Sequence, residues 1–252
     1  MTEQLAVAVL GANGRMGAEA VRAVEAAADL KLVAALGRND SLDILVDAGA
    51  RIVVDLTVPG STEANVAFAV EHGMHAVVGT TGWDAERLGR LEELLAGLPG
   101  VGVLIAPNFA LGSVLASAFA AKASRYFESV EIIELHHPDK VDAPSGTAVR
   151  TAQLISAERA AANLPASPDA TTSERPGARG CDVDGVRVHS VRLRGLVAHQ
   201  EVLLGGPGEQ LTFRHDSFER ASFMPGVLLG VRNVAANPGL TVGLDGYLDL
   251  GL

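Results

Sequence analysis

A single cysteine, Cys181, occurs among the 252 residues. No disulfide can form within the chain, which suits a reducing, cytoplasmic setting. Positive charge is also scarce: the formal net charge is −10. An acidic chain is poorly suited to nucleic acid or an anionic membrane, so neither is expected as a partner. Long apolar runs are missing. The first, Leu5–Leu10, is too short to cross a bilayer and has no basic flank, so it reads as a buried strand. Internal repeats and low-complexity tracts are absent as well. What remains is a globular composition, 48% hydrophobic and 20% charged, sufficient for a large core in one or two domains.

The first hundred residues alternate short apolar runs with amphipathic stretches. Leu5–Leu10, Lys31–Leu36, Ile52–Leu56, His75–Val78 and Val101–Ala106 read as strands without clean alternation, as parallel strands buried on both faces do. Arg15–Ala28, Thr62–Glu71 and Ala85–Ala96 read as helices, giving a doubly wound α/β pattern. After Asn108 the pattern changes. Leu111–Tyr126 and Gly146–Ala162 read as helices, and Ser129–Leu135 as a strand with one polar face. Asn163–Gly185 reads as a long loop of the kind that often forms a lid. Val186–Arg194, His199–Leu204 and Gln210–His215 read as strands of a mixed or antiparallel sheet. Phe218–Ala236 reads as a helix that Pro225 kinks or splits.

Two segments carry chemistry. In LAVAVLGANGRMG, glycines stand at 11, 14 and 17, between a strand and a helix. A tight turn at Gly11 and close backbone approach at Gly14 would set a pyrophosphate on the helix N-terminus, which is how a dinucleotide is held. Gly79-Thr80-Thr81-Gly82 and Ala106-Pro107-Asn108-Phe109 follow the fourth and fifth strands, so they reach the same carboxyl edge and can meet a nicotinamide ribose or ring. The second segment is ELHHPDK, followed by VDAPSGT. His136 and His137 end a strand and point to opposite sides. Lys140 lies in the loop beyond, and Ser145-Gly146-Thr147 opens a helix whose N–H groups favour a carboxylate. This makes a proton-transfer histidine, a cation and an anion site. No third ligand stands at a convincing spacing, so no metal is expected. His72 and His75 are expected to be structural, His189, His199 and His215 are left without roles, and Cys181 has no base beside it.

GANGRMG, VVGTTG, APNF, ELHHPDK and DAPSGTA occur in that order, and with them the chain resembles the dihydrodipicolinate reductases of lysine and diaminopimelate synthesis over its whole length. The resemblance implies a Rossmann domain formed by residues 1–109 with 218–252. It also implies an α+β domain, residues 110–217, whose open mixed sheet binds substrate and builds a homotetramer. His136 and Lys140 then correspond to the proton-transfer residues. His137, Lys140, Ser145, Gly146 and Thr147 correspond to substrate-binding positions. Gly11, Ala12, Asn13, Gly14, Arg15, Met16, Gly79, Thr80, Thr81, Ala106, Pro107, Asn108 and Phe109 correspond to cofactor positions. The implied substrate is a small cyclic imine with two carboxylates, reduced by NADPH or NADH. Late strands with apolar runs would be an aggregation hazard if left uncovered, consistent with tetramer formation. One departure concerns the end of the second strand, where the family carries an acidic residue: Gly37 stands there and Arg38 follows. Loss of the carboxylate and gain of a guanidinium favour a 2′-phosphate, so NADPH is expected to be preferred. Two other readings remain open at this point: a different Rossmann dehydrogenase, which would need another proton relay or a catalytic cysteine, and a dinucleotide sensor without turnover.

Overall fold

A computed structural model describes residues 4–251. They divide into two compact units, residues 4–110 with 220–250 and residues 111–219. The first unit begins β1 (Leu5–Leu10), α1 (Arg15–Ala26), β2 (Leu30–Leu36), α2 (Asp43–Asp47), β3 (Ile52–Asp55), α3 (Thr62–Glu71), β4 (His75–Val78), α4 (Ala85–Ala96) and β5 (Gly102–Ile105). Val7, Val9, Ile52, Val54 and Val77 have no exposed surface, which is why these strands are apolar throughout rather than alternating.

The second unit contains α5 (Leu111–Ala123), β6 (Ser129–His136), α6 (Gly146–Ala161), β7 (Cys181–Val183), β8 (Val186–Arg192), β9 (Ala198–Gly206) and β10 (Glu209–Ser217). A 3-10 turn, Ser124–Tyr126, closes α5 where sequence reading extended one helix. The sheet order is β10-β9-β6-β8-β7. Only β6 and β8 are parallel; the other neighbours are antiparallel. Helices α5 and α6 pack on one face, where Val130, Ile132, Ile155, Val202 and Leu204 form the core. Ile133, Leu135, Val191 and Leu203 point to the other face and are half-buried.

The long loop, of a kind that often forms a lid, is fastened at the Ser129 end of β6, away from His136. Arg159 donates to Pro165 O at 3.1 Å, Ser167 Oγ accepts from Val130 N at 3.3 Å, and Arg179 pairs with both Asp169 and Glu131. Its last residues form the edge strand β7.

The chain then returns to the first unit. After a 3-10 turn, Arg220–Phe223, come α7 (Met224–Asn233) and β11 (Gly239–Val242), a strand not read from the sequence. The completed sheet has order β11-β5-β4-β3-β1-β2, parallel throughout. Pro225 lies in the first turn of α7. A missing N–H costs nothing there, so the proline starts the helix instead of splitting it.

Candidate active site

In the first unit, β1 runs into the glycine turn and α1. Gly11 has φ +77°, and a Cβ there would stand 2.6 Å from Leu56 O. A Cβ on Gly17 would collide with Gly11 O, so this third glycine is the one that lets α1 pack against the turn. Gly14 is the N-cap of α1 and offers no side-chain cap, and the first turn carries no acid. Its N–H groups are therefore available to an anion, and the cradle fits a dinucleotide phosphate.

A cleft of about 830 Å³ runs from Gly11, Asn13 and Gly14 past Gly37, Arg38 and Asp40. A second, of about 320 Å³, is lined by Met16, Gly79, Thr80 and Thr81 and by Ala106 through Phe109. Ala12 lines neither; its N–H donates to Leu36 O at 3.0 Å. Arg15 is exposed at the start of α1. Phe109 is buried, and a Cβ on Gly79 would come within 2.6 Å of its ring. Sequence reading did not single out Asp55, at the end of β3 and 1% exposed. Its carboxylate accepts from Thr57 N at 2.9 Å, Thr80 Oγ1 at 2.9 Å and Asn65 Nδ2 at 2.9 Å. It thereby ties the loops after β3 and β4 together beneath the clefts.

In the second unit, β6 delivers His136 to its end, and α6 begins beside it. His136 Nδ1 lies 2.5 Å from Glu134 Oε2. Glu134 has no exposed surface. Arg192 grips it with both terminal nitrogens, at 2.7 and 2.8 Å, and Ser145 N donates to it at 3.1 Å. Burial pushes this carboxyl upward, but the bonds from His136, Arg192 and Ser190 outweigh it and bring the pKa to about 2. Sequence reading missed both Glu134 and Arg192.

Ser145 caps α6, its Oγ accepting from Ala148 N at 3.2 Å, and Gly146 and Thr147 form the first turn. Lys140 Nζ lies 2.7 Å from Asp142 Oδ1. The imidazole of His137 makes no hydrogen bond among the described residues. His136, the Lys140 loop and the α6 N-terminus are thus joined at one end of the sheet by hydrogen bonds through Glu134 and Arg192, the latter also donating to Asp142 O at 2.7 Å. An imidazole, an ammonium and a helix start together can bind a carboxylate and deliver a proton.

The remaining histidines of this unit are engaged elsewhere. His189 pairs with Glu131 at 2.7 Å and His199 with Asp216 at 2.6 Å, both on the face away from the helices. His215 packs against Gly112, and burial lowers its pKa.

Family models described as dihydrodipicolinate reductase, N-terminus, and dihydrodipicolinate reductase, C-terminus, match residues 5–109 and 112–248. A 4-hydroxy-tetrahydrodipicolinate reductase from Streptomyces griseus is 66% identical over 98% of this chain and 99% of its own length. One from Streptomyces coelicolor is 62% identical over the same shares. A solved structure, dipicolinate-bound dihydrodipicolinate reductase from Paenisporosarcina sp. TG-14, superposes with a TM-score of 0.83 at 37% identity, covering 97% of this chain and 100% of that one.

Proposed function

The chain belongs to the dihydrodipicolinate reductase family, and from that premise we propose which of its residues carry out the reduction. The enzyme is an oxidoreductase of diaminopimelate and lysine biosynthesis, converting 4-hydroxy-tetrahydrodipicolinate to tetrahydrodipicolinate with a nicotinamide dinucleotide. Loss of water from the 4-hydroxy substrate leaves a conjugated imine, and the nucleotide, when bound, would supply hydride to one end of it. A proton is then needed at the other end. His136 donates it, and Lys140 assists while neutralising a substrate carboxylate. The first turn of α6, Ser145 to Thr147, and His137 hold the dicarboxylate. In the first unit the Gly11–Met16 turn holds the pyrophosphate, and the Gly79–Thr81 and Ala106–Phe109 loops hold the nicotinamide end. The sensor reading has no use for a buried carboxylate behind His136, and the thiol reading needs a base, of which none is hydrogen-bonded to the exposed Cys181 among the described residues.

The observation that supports this assignment best is the convergence of His136, the Lys140 loop and the α6 start on Glu134 and Arg192. The test is NADPH oxidation with the condensation product of pyruvate and aspartate semialdehyde. His136→Ala should lower kcat by about 10²-fold or more while KM moves far less. Lys140→Ala should harm both. Nucleotide affinity should hold in each. Near-normal turnover in His136→Ala would reject the assignment.

Three further assignments extend this reading. The first unit is the nucleotide domain, and the second binds substrate and assembles a homotetramer through the sheet face that α5 and α6 leave uncovered. Both nucleotides serve, with NADPH preferred through Arg38, which makes no ion pair among the described residues. The enzyme works in the cytoplasm; among the described residues no helix is long and apolar enough to cross a membrane.

A further inference from the structure

Along β6 the residues facing the helices are Val130, Ile132, Glu134 and His136. Val130 and Ile132 are buried and apolar. The third place in that row is a carboxylate without exposed surface. So complete a burial of charge is costly unless donors surround it, and a purely stabilising ion pair could be replaced by apolar side chains. What distinguishes this pair is where its donors come from. One is His136 Nδ1, at 2.5 Å. Another is the backbone N–H of Ser145, at the start of α6. Ser190 on β8 gives a further one, and the rest belong to Arg192, whose Nη2 also donates to Asp142 O at 2.7 Å and so reaches the loop that carries Lys140.

We propose that Glu134 is a positioning residue for the reduction. Its carboxylate fixes His136 with Nδ1 protonated and Nε2 as the exchanging atom, and with Arg192 it holds the lysine loop and the first turn of α6 in register with that ring. The inference rests on His136 being the proton donor. Glu134 accepts from Nδ1–H, so the proton delivered to substrate leaves from Nε2, and the ring is left as the neutral Nδ1–H tautomer. The carboxylate faces Nδ1–H before and after transfer and stays ionised throughout, with Arg192 locked across it. It is therefore not itself the acid. A glutamine at 134 could still accept from Arg192 and Ser145. Its NH₂ group, however, would face Nδ1 and could bond it only with that nitrogen unprotonated, which puts the ring in the other tautomer.

The test compares wild type, His136→Ala, Glu134→Gln, Glu134→Asp and the double variant His136→Ala/Glu134→Gln. Measurements are steady-state kinetics, nucleotide affinity and proton NMR of the far-downfield imidazole N–H region. Glu134→Gln should lower kcat about ten- to a hundredfold and shift KM less than about threefold, with nucleotide affinity unchanged. Glu134→Asp should recover part of the loss. Added to His136→Ala, Glu134→Gln should cost less than about twofold more, because a residue acting through another has nothing left to act on. The wild type should show a far-downfield Nδ1–H resonance that His136→Ala and Glu134→Gln both lose. Multiplicative losses in the double variant, or undiminished kcat in Glu134→Gln, would overturn the positioning role. So would a wild-type spectrum without that resonance, a result that decides the matter even if Glu134→Gln fails to fold. Full turnover in His136→Ala would instead remove the proton-donor assignment. A crippled His136→Ala beside an unimpaired Glu134→Gln removes only the role of Glu134.

Discussion

At the end of β2, Asp40 turns its carboxylate back to accept the Gly37 N–H at 2.7 Å. A Cβ at 37 would meet only the end of the Asn13 side chain, with Nδ2 at 2.5 Å, and the acid of this turn stands three residues later. Asp40 and Arg38 both line the cleft, one repelling and one attracting a 2′-phosphate. Arg38→Ala should lower kcat/KM with NADPH by about tenfold or more and change NADH use little. Asp40→Asn should raise NADPH use several-fold; equal changes with both nucleotides would show that neither residue reads the phosphate. At this scale the candidate site was legible where its residues lie near one another in sequence. His136, Lys140 and the Ser145–Thr147 helix start lie within a dozen positions, and the structure links them through hydrogen bonds. Arg192 could not be found that way, because its partner Glu134 is distant in sequence and close only through the β6–β8 pairing. Glu134 left one signal: a charge where the alternation of β6 calls for an apolar core residue.

Among elements, α6 does two jobs. Its first turn faces the candidate site, and near its other end Arg159, 7% exposed, points into the unit with no acidic partner among the described residues. It donates instead to the carbonyls of Ser124, Phe127, Glu128 and Pro165, at 2.8 to 3.3 Å. That fan of bonds closes α5, starts β6 and pins the long loop. Arg159→Met should leave these carbonyls without donors and cost about 3 kcal/mol or more in urea unfolding, with KM unchanged. A loss below about 1 kcal/mol would mean that water replaces the guanidinium. Sequence reading found most elements to within a residue or two because their apolar periods are strong. Residues 163–185 read as a loop from their composition, which carries no information about what fastens them. Sequence reading missed β11 because four residues of GLTV become a strand only by pairing with β5.

For the whole molecule, the sheet face that α5 and α6 leave uncovered is the surface proposed for assembly. Ile133, Leu135, Val191 and Leu203 stand on it half-buried, beside the His189–Glu131 and His199–Asp216 pairs. Light scattering at micromolar concentration should give the mass of four chains, and Leu203→Lys on that face should lower it. A monomeric wild type would reject the tetramer. The α/β class and the second mixed sheet were legible from the switch in strand pattern after residue 108; the strand order was not, since it is set by non-local pairing. That pairing also governs synthesis. β5 ends at Ile105, and its neighbour β11 does not begin until Gly239. On the ribosome the first sheet must wait with a bare apolar edge while the contiguous second unit emerges and can already close. Ribosomes stalled so that residue 220 has just cleared the exit tunnel should therefore carry a protease-resistant middle segment and an unfinished nucleotide fold, a state in which chaperones have most reason to hold this chain.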